Sequence, residues 1–481
     1  MADSTPSPPD PLEPSQRFIS IVLFAVVITR LPFLWFGYGS DPDAWRVANV
    51  ADVLWRTGHY EVSRFPGYPL HEVATAPLVA LGQTLDPEQR AIFSNGATLI
   101  ATLILLLVWG QLVRRISQKP YLLIIGLAFA PLVWLDSAIT MDYVWSLLFL
   151  VLSLNAAQQR KCISAGIWLG IAAGFRPSNI VGVVPILTLL ALGHQPARSM
   201  IKFLFGCVPA TLVAFLPMIL SYGVKGWIDG TQLQMPALPF TDRALFFTYR
   251  SVYAIGPLAV VMVIGVVLLR RNEIVQQVRE WRSAIVVSLV GLLVFSLLFF
   301  ALPLDRSYLL PAFPFLLLLV EKNSSSRVFA LFLICLILHA FVNIDIIQHQ
   351  GVQGIPAPNV HTGIVVEELQ RKADMMDWRS KIARLDVHGK IIVMTGVGAA
   401  FWMQNDAVEV DTSTSWRGFN DPVAYRRTEP DVHYIPLLTK DELDRVRNSG
   451  YVVYCLESAQ PFVESTVGYT MGEAGIRLIK I

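Results

Sequence analysis

Charge is what this chain has least of. Only 15% of its 481 residues are Asp, Glu, Lys or Arg, while 54% are hydrophobic; an ordinary soluble domain is roughly a quarter charged. So few charges cannot cover a water-facing surface of this size. The net charge is only +2, so there is no global field to hold nucleic acid or an acidic polymer. The four cysteines, Cys162, Cys207, Cys335 and Cys455, lack CxxC or other metal-ligand spacing and read as packing residues. No Gly-rich phosphate loop, Gly-x-Ser-x-Gly elbow or His-Glu-x-x-His motif occurs, which disfavours a nucleotide-sugar donor at a Rossmann-like site. Residues 1 to 16 contain no lysine or arginine. Lacking the basic start of a signal peptide, residues 1–17 are expected to form a disordered cytoplasmic tail, and the first hydrophobic segment to stay uncleaved.

Long apolar runs take the place of charge. Leu99 to Leu112 and Ala284 to Leu302 carry none at all, and several runs approach the roughly 20 residues that cross a bilayer as a helix. The expected fold is mainly α, a polytopic membrane helix bundle with about eleven transmembrane helices. The candidate spans are 18–37, 91–113, 121–139, 143–158, 163–175, 178–193, 203–222, 256–270, 284–302, 308–321 and 328–346. Alternate connections hold Arg114, Arg115 and Lys119; Arg160 and Lys161; Arg198 and Lys202; Arg270, Arg271, Arg279 and Arg282; and Lys322 and Arg327. The positive-inside rule makes these loops cytoplasmic. The N-terminus is then cytoplasmic and the C-terminus extracytoplasmic, in a plasma (inner) membrane.

The segments left outside are residues 38–90, residues 223–255 and the chain beyond about 347. After a Gly/Pro-containing linker, Gly351 to Pro358, the composition turns toward that of soluble protein. Strands are expected at 390–395, 432–437, 451–456 and 475–481, and helices at 362–378 and 440–448, giving a small C-terminal extracytoplasmic α/β domain. The expected division is a tail at 1–17, a transmembrane domain at 18–347 and the α/β domain at 348–481. No internal repeat is visible.

Residues 38–90 carry the densest chemistry. Asp41 fits an N-cap, Pro42 the first helical position and Asp43 the first turn. Arg46, Asn49, Asp52 and Arg56 then recur at helical spacing, opposite Val47, Val50, Ala51 and Leu54. This predicts an interfacial helix, with Trp45 and Trp55 at headgroup depth. Arg64-Phe65-Pro66-Gly67-Tyr68-Pro69 predicts a turn, and Leu70 to Leu81 an apolar stretch too short to span.

The acidic pair after the first span, Gly58-His59-Tyr60, Pro66 to Pro69 and Ala76-Pro77-Leu78 together resemble the membrane glycosyltransferases of the C superfamily. The nearest branch holds the protein O-mannosyltransferases and the bacterial aminoarabinose and lipopolysaccharide-core sugar transferases. The likeness in layout covers residues 18 to 346, with motif-level matches in the first loop, around Asp142, at Phe175-Arg176-Pro177 and from Asp305 to Pro314. It implies inverting transfer of a sugar from a polyprenyl-phosphate donor to a hydroxyl on a lipid, glycan or protein acceptor, outside the membrane. By resemblance Asp43, or second Asp41, is the base that takes the acceptor proton. Arg176, Arg306 and Arg64 would stabilise charge on the departing phosphate. Asp142, Tyr68 and Tyr308 would support them.

Each residue also has a plainer role: Asp41 as a cap, Asp43 as a dipole complement, Asp142 as a solvated cap of the next helix. Arg176 could snorkel to headgroups, and Arg306 could pair with Asp305. Asp136, deeper in its span, is a secondary candidate, and His339 reads as a packing residue. No cofactor and no metal ligand are assigned, although an Asp-x-Asp pair leaves a divalent metal open. A transporter or flippase, or a non-catalytic assembly subunit, are the rival functions; charges at one membrane face and the lack of repeated halves favour the enzyme over the transporter.

Overall fold

The computed structural model describes residues 16–35, 37–86, 89–193, 195–234, 238–345, 359–383, 388–394, 408–411, 423–426, 429–435, 438, 440–456 and 478–480. The expected tail lies outside them except for Gln16 and Arg17, which begin the first helix. The expected linker at 351–358 lies outside them too.

The chain is mainly helical. It opens with α1 (Gln16–Arg30), α2 (Pro42–Thr57), α3 (Pro69–Gly82) and α4 (Ile92–Ile116). Next come α5 (Pro120–Ala128), α6 (Pro131–Asp136), α7 (Tyr143–Gln158), α8 (Cys162–Phe175) and α9 (Val183–Ala191). The run continues with α10 (Pro196–Ala214), α11 (Leu216–Gln234), α12 (Phe240–Ile255), α13 (Pro257–Leu269) and α14 (Arg271–Arg279). It closes with α15 (Ser283–Ala301), α16 (Phe313–Lys322) and α17 (Ser326–Leu338). Short 3-10 segments, Leu31–Phe33, Pro177–Gly182 and Arg306–Ala312, precede or join helices.

Proline and glycine explain most of the breaks. Ala130, which precedes Pro131, adopts ψ 129° and parts α5 from α6, because a residue before proline is pushed out of the helical region. The segment expected at 121–139 is therefore two short helices. Gly256 (φ 89°) and Pro257 part α12 from α13, which are bent by 100°. Four helical segments, Gln16–Phe33, α4, α10 and α15, are long and apolar enough to cross a membrane, and the bent pair makes five if it counts as one. Shorter apolar helices, α7, α8, Pro177–Ala191 and α17, lie among them. A 16-residue helix such as α7 rises only about 24 Å, short of the roughly 30 Å hydrocarbon layer.

The segment expected at 328–346 is corrected at its end. Helix α17 stops at Leu338, and Val342–Asp345 is a strand, β1, paired antiparallel with β2 (Asn359–Thr362). Val-Asn-Ile-Asp alternates apolar and polar residues, which is the period of a strand.

The chain divides into two compact units. The first comprises Met1–Leu34, Phe65–Ala74 and Asn95–Leu369; the second comprises Trp35–Arg64, Thr75–Ser94 and Gln370–Ile481. Within the first, α8 and α10 pack closely through small residues four apart. A Cβ on Gly166 would sit 2.0 Å from the Phe203 carbonyl oxygen, and one on Gly170 or Gly174 would sit 2.6 Å or 2.5 Å from the Cβ of Ala210 or Ala214. This close backbone approach lets dispersion contacts between the two helices hold the pair. Arg30, fully buried at the end of α1, donates to the Ala128 carbonyl and lies over the Trp134 ring at 4.1 Å.

The basic connections of this unit meet one another. Arg115 donates to Asn155 on α7 (2.7 Å), Lys119 to the carbonyls of Glu321 (2.9 Å) and Ser324 (2.6 Å), and Lys322 to that of Ile116 (2.5 Å). Asn155 lies near the C-terminus of α7 and Tyr143 at its start, about 18 Å apart along the axis. That length separates the basic loops from the cluster around Tyr143 described below.

In the second unit, α2 buries Ala44, Trp45, Val47, Ala48 and Ala51 completely. Trp45 donates from Nε1 to the Gly39 carbonyl (2.8 Å) and packs edge-on against Tyr38. Only Trp55, 59% exposed, is free to sit at headgroup depth; Trp45 is a core residue. Gly58, at φ 71°, ends the helix left-handed and bonds back to the Leu54 carbonyl.

The C-terminal part holds a six-stranded sheet. After α18 (Ile364–Ala383), its strands are β3 (Ile391–Met394), β4 (Val408–Asp411), β5 (Val423–Arg426), β6 (Glu429–Ile435), β7 (Val452–Leu456) and β8 (Leu478–Lys480), with α19 (Lys440–Asn448) between β6 and β7. Their order is β4-β5-β6-β3-β7-β8, with β3 parallel to both β6 and β7 and the outer pairings antiparallel. All four residues of β3 are buried, as a central parallel strand requires. Strands β3, β6, β7 and β8 and both helices fall where the sequence places them; β4 and β5 are additional.

Candidate functional site

Most of the residues singled out from the sequence fall into two clusters, one in each unit, and Arg306 stands outside both. In the first unit the centre is Arg176. Pro177 forces Arg176 into an extended conformation (φ −149°, ψ 110°), which ends α8. Its Nη1 lies 2.6 Å from Asp142 Oδ2, and the two side chains are 4% and 0% exposed. Tyrosine rings surround the guanidinium: its Cζ is 4.1 Å from the ring centre of Tyr143, 4.4 Å from that of Tyr308 and 5.7 Å from that of Tyr68.

Burial alone works against this cation. The Asp142 carboxylate, then Tyr143, Tyr68 and Tyr308, outweigh that penalty and hold the guanidinium well above its ordinary pKa. Arg176 is thus a fixed positive charge in a nearly dry, aromatic setting. It does not snorkel. Asp142 is corrected in the same way: it occupies the N-cap position of α7 but makes no side-chain cap bond, and it is a buried counter-ion instead of a solvated turn residue.

A chain of hydrogen bonds extends the cluster. Tyr143 donates its hydroxyl to the Asp305 carboxylate. Asp305 caps the segment Arg306–Ala312 by accepting from the Ser307 backbone N–H (3.0 Å), and Ser307 Oγ donates to Asp136 (3.2 Å), itself 2% exposed. Arg306 engages elsewhere. Its Nη2 is 3.6 Å from Glu368 Oε2, and its guanidinium lies 5.1 Å from the Tyr253 ring centre. The anticipated Asp305–Arg306 pair is therefore replaced by Asp305–Tyr143 and Arg306–Glu368. His339 contacts the Tyr253 carbonyl through Nε2 (2.6 Å), a packing role.

In the second unit Asp41 is an N-cap, accepting from the Asp43 N–H at 2.8 Å. Asp43 is bound on both oxygens, by Arg46 Nη1 at 3.1 Å and Arg64 Nε at 3.1 Å. Arg64 is 8% exposed on its side chain and Arg46 34%. Arg46 is the more exposed of the two partners.

Of the predicted set, Tyr68, Asp142, Arg176 and Tyr308 come together, Asp41, Asp43 and Arg64 come together, and Arg306 stands with Glu368. Tyr143, Tyr253, Glu368 and Arg46 were not assigned to the site from sequence. Tyr143, next to Asp142 at the start of a helix, offered the clearest signal. A small apolar crevice, lined by Trp109, Leu112, Leu154, Val287, Phe315 and Leu318 among others, contains none of the predicted residues. Among the described residues no three His, Cys, Asp or Glu side chains gather as a metal-binding group.

Chemically, the Arg176 cluster is a buried guanidinium neutralised by Asp142 and ringed by phenols, so an oxyanion would have to share the cation with that carboxylate. The Asp43 cluster offers a carboxylate at a helix N-terminus, partly open to solvent. Comparison of the chain with known protein families, curated proteins and solved structures finds no match.

Proposed function

We propose that this chain is an integral membrane transferase that works at the bilayer surface. More particularly, it is a glycosyltransferase that moves a sugar from a polyprenyl phosphate to an acceptor hydroxyl on the extracytoplasmic face. The observation that carries the reading is the convergence of Tyr68, Asp142, Arg176 and Tyr308, from four separate stretches of chain, around one guanidinium. Of the three arginines that the family resemblance assigns to a departing phosphate, Arg176 is joined by the three residues assigned to support it, while Arg306 pairs with Glu368 and Arg64 with Asp43. The shorter apolar helices belong, on this reading, to a bundle of about eleven crossings, with the N-terminus cytoplasmic and the C-terminus outside.

In the proposed reaction the acceptor oxygen attacks the anomeric carbon with inversion while its proton passes to a carboxylate base, the role that the resemblance gives Asp43. The bond from the anomeric carbon to the phosphate oxygen breaks, and its electron pair leaves with the lipid phosphate. A cation near the phosphate offsets the added negative charge, the role that the resemblance gives Arg176. Asp41 holds the first turn of α2 in place.

Purified protein in liposomes, given a radiolabelled polyprenyl-phosphate sugar and a membrane-extract acceptor, should transfer label. Asp43→Asn should slow transfer by about 10²–10⁴-fold in protein that remains folded, and Arg176→Gln should abolish it. Movement of intact labelled lipid across the bilayer, with no transfer to acceptor, would establish the flippase reading instead. Full transfer by Asp43→Asn and Asp41→Asn would remove the catalytic assignment.

A further inference from the structure

Helix α14 lies between α13 and α15 and takes no part in either cluster. All nine of its residues keep contact with solvent or lipid, none being buried. At 100° per residue, Val278, Arg271, Val275 and Arg279 fall within an arc of about 100°. Glu273 and Gln277 lie on the opposite side. Val275 and Val278 are 49% and 36% exposed, and Trp281, just past the helix, is 67% exposed.

The charges are sorted as well. Arg270 pairs with Glu273, and Arg282 pairs with Glu280 (2.9 Å), so both acids of this stretch are neutralised. Arg271 and Arg279 carry no carboxylate partner among the described residues. The helix thus presents two uncompensated arginines among exposed valines on one face, and its one acid, Glu273, on another. Gln277 lies 3.5 Å from Asn323, which tethers α14 to the end of the unit where the basic loops meet. The helix also leads directly into α15, a candidate membrane span.

We propose that α14 lies in the plane of the bilayer interface and binds anionic phospholipid headgroups through Arg271 and Arg279, with Val275, Val278 and Trp281 inserted beside them. Exposed apolar side chains flanked by arginines are what an in-plane helix offers such a surface, and charge complementarity selects an anionic lipid over a neutral one. The inference does not depend on the transferase reading.

The test is hydrogen exchange across residues 270–282 of the full chain in nanodiscs of phosphatidylcholine, alone or mixed with phosphatidylglycerol. Exchange should slow by about tenfold or more in the anionic discs, since each arginine near such a surface contributes about a fivefold preference. High salt should remove the difference. Arg271→Gln combined with Arg279→Gln should also remove it, while Glu273→Gln with Glu280→Gln should retain it. Equal exchange in both lipids overturns the proposal and leaves this face to a protein partner. So does protection that survives high salt or persists in the double arginine variant.

Discussion

Breaking the Arg176–Asp142 pair is the sharpest test of the buried cluster. Both partners are essentially out of solvent, at 4% and 0% side-chain exposure, so removing one leaves an uncompensated charge, which costs about 3–5 kcal/mol. The two single variants should not be equal. In Asp142→Asn the guanidinium keeps its contacts with the rings of Tyr143, Tyr308 and Tyr68, each worth about 0.5–2 kcal/mol, so the loss should be about 3 kcal/mol. In Arg176→Met the carboxylate loses the partner that offsets its burial, and the loss should be about 4–5 kcal/mol. The double variant Asp142→Asn/Arg176→Met holds no stranded charge. It should be more stable than Arg176→Met alone and should show a coupling energy of about 3 kcal/mol or more. Unfolding in mixed detergent micelles, followed by far-ultraviolet circular dichroism, measures all four proteins. Additive single losses, within about 0.5 kcal/mol, would refute the claim that the pair acts as one buried unit.

The remaining predictions concern packing, capping and the carboxylate. Gly166→Val should lower stability by about 3 kcal/mol, because its Cβ would meet the Phe203 carbonyl oxygen at 2.0 Å, whereas Gly265→Ala, with nothing within 4 Å, should raise it by up to about 1 kcal/mol; thermal midpoints in detergent compare the two. Asp41→Ala should lose about 1 kcal/mol of capping energy, and Asp41→Ser should keep most of it. Both should still transfer sugar, while Asp43→Asn should slow transfer by about 10²–10⁴-fold in the labelled-donor assay. At the same carboxylate, Arg46→Gln should cost about 0.5 kcal/mol or less, since Arg46 is partly exposed. Arg64→Gln, at 8% exposure, should cost more, and chemical denaturation separates the two.

Much of the local structure could be read directly. Asp41-Pro42-Asp43 marks the start of α2 and Gly58 its end, and the alternating strands at β3, β6, β7 and β8 fall where they were expected. Two features were in the sequence and went unread: Gly166, Gly170 and Gly174 spaced by four on α8, and the strand alternation of Val342–Asp345. Each is short, and each gains meaning only from a partner distant in sequence, α10 in one case and β2 in the other.

What the sequence determined by itself is periodicity and local chemistry: which stretches are apolar, where prolines and glycines interrupt them, and which residues cap helix starts. These depend on neighbours within a few positions, so they need no fold. Tertiary structure decided the pairings. Asp142 and Arg176 are 34 residues apart, and nothing local distinguishes an arginine that will snorkel from one that will be enclosed by three tyrosines. The same holds for Arg306, whose carboxylate partner is Glu368 and not the adjacent Asp305. A buried charge must find its counter-ion somewhere in the folded chain, and only packing of distant segments brings one within reach.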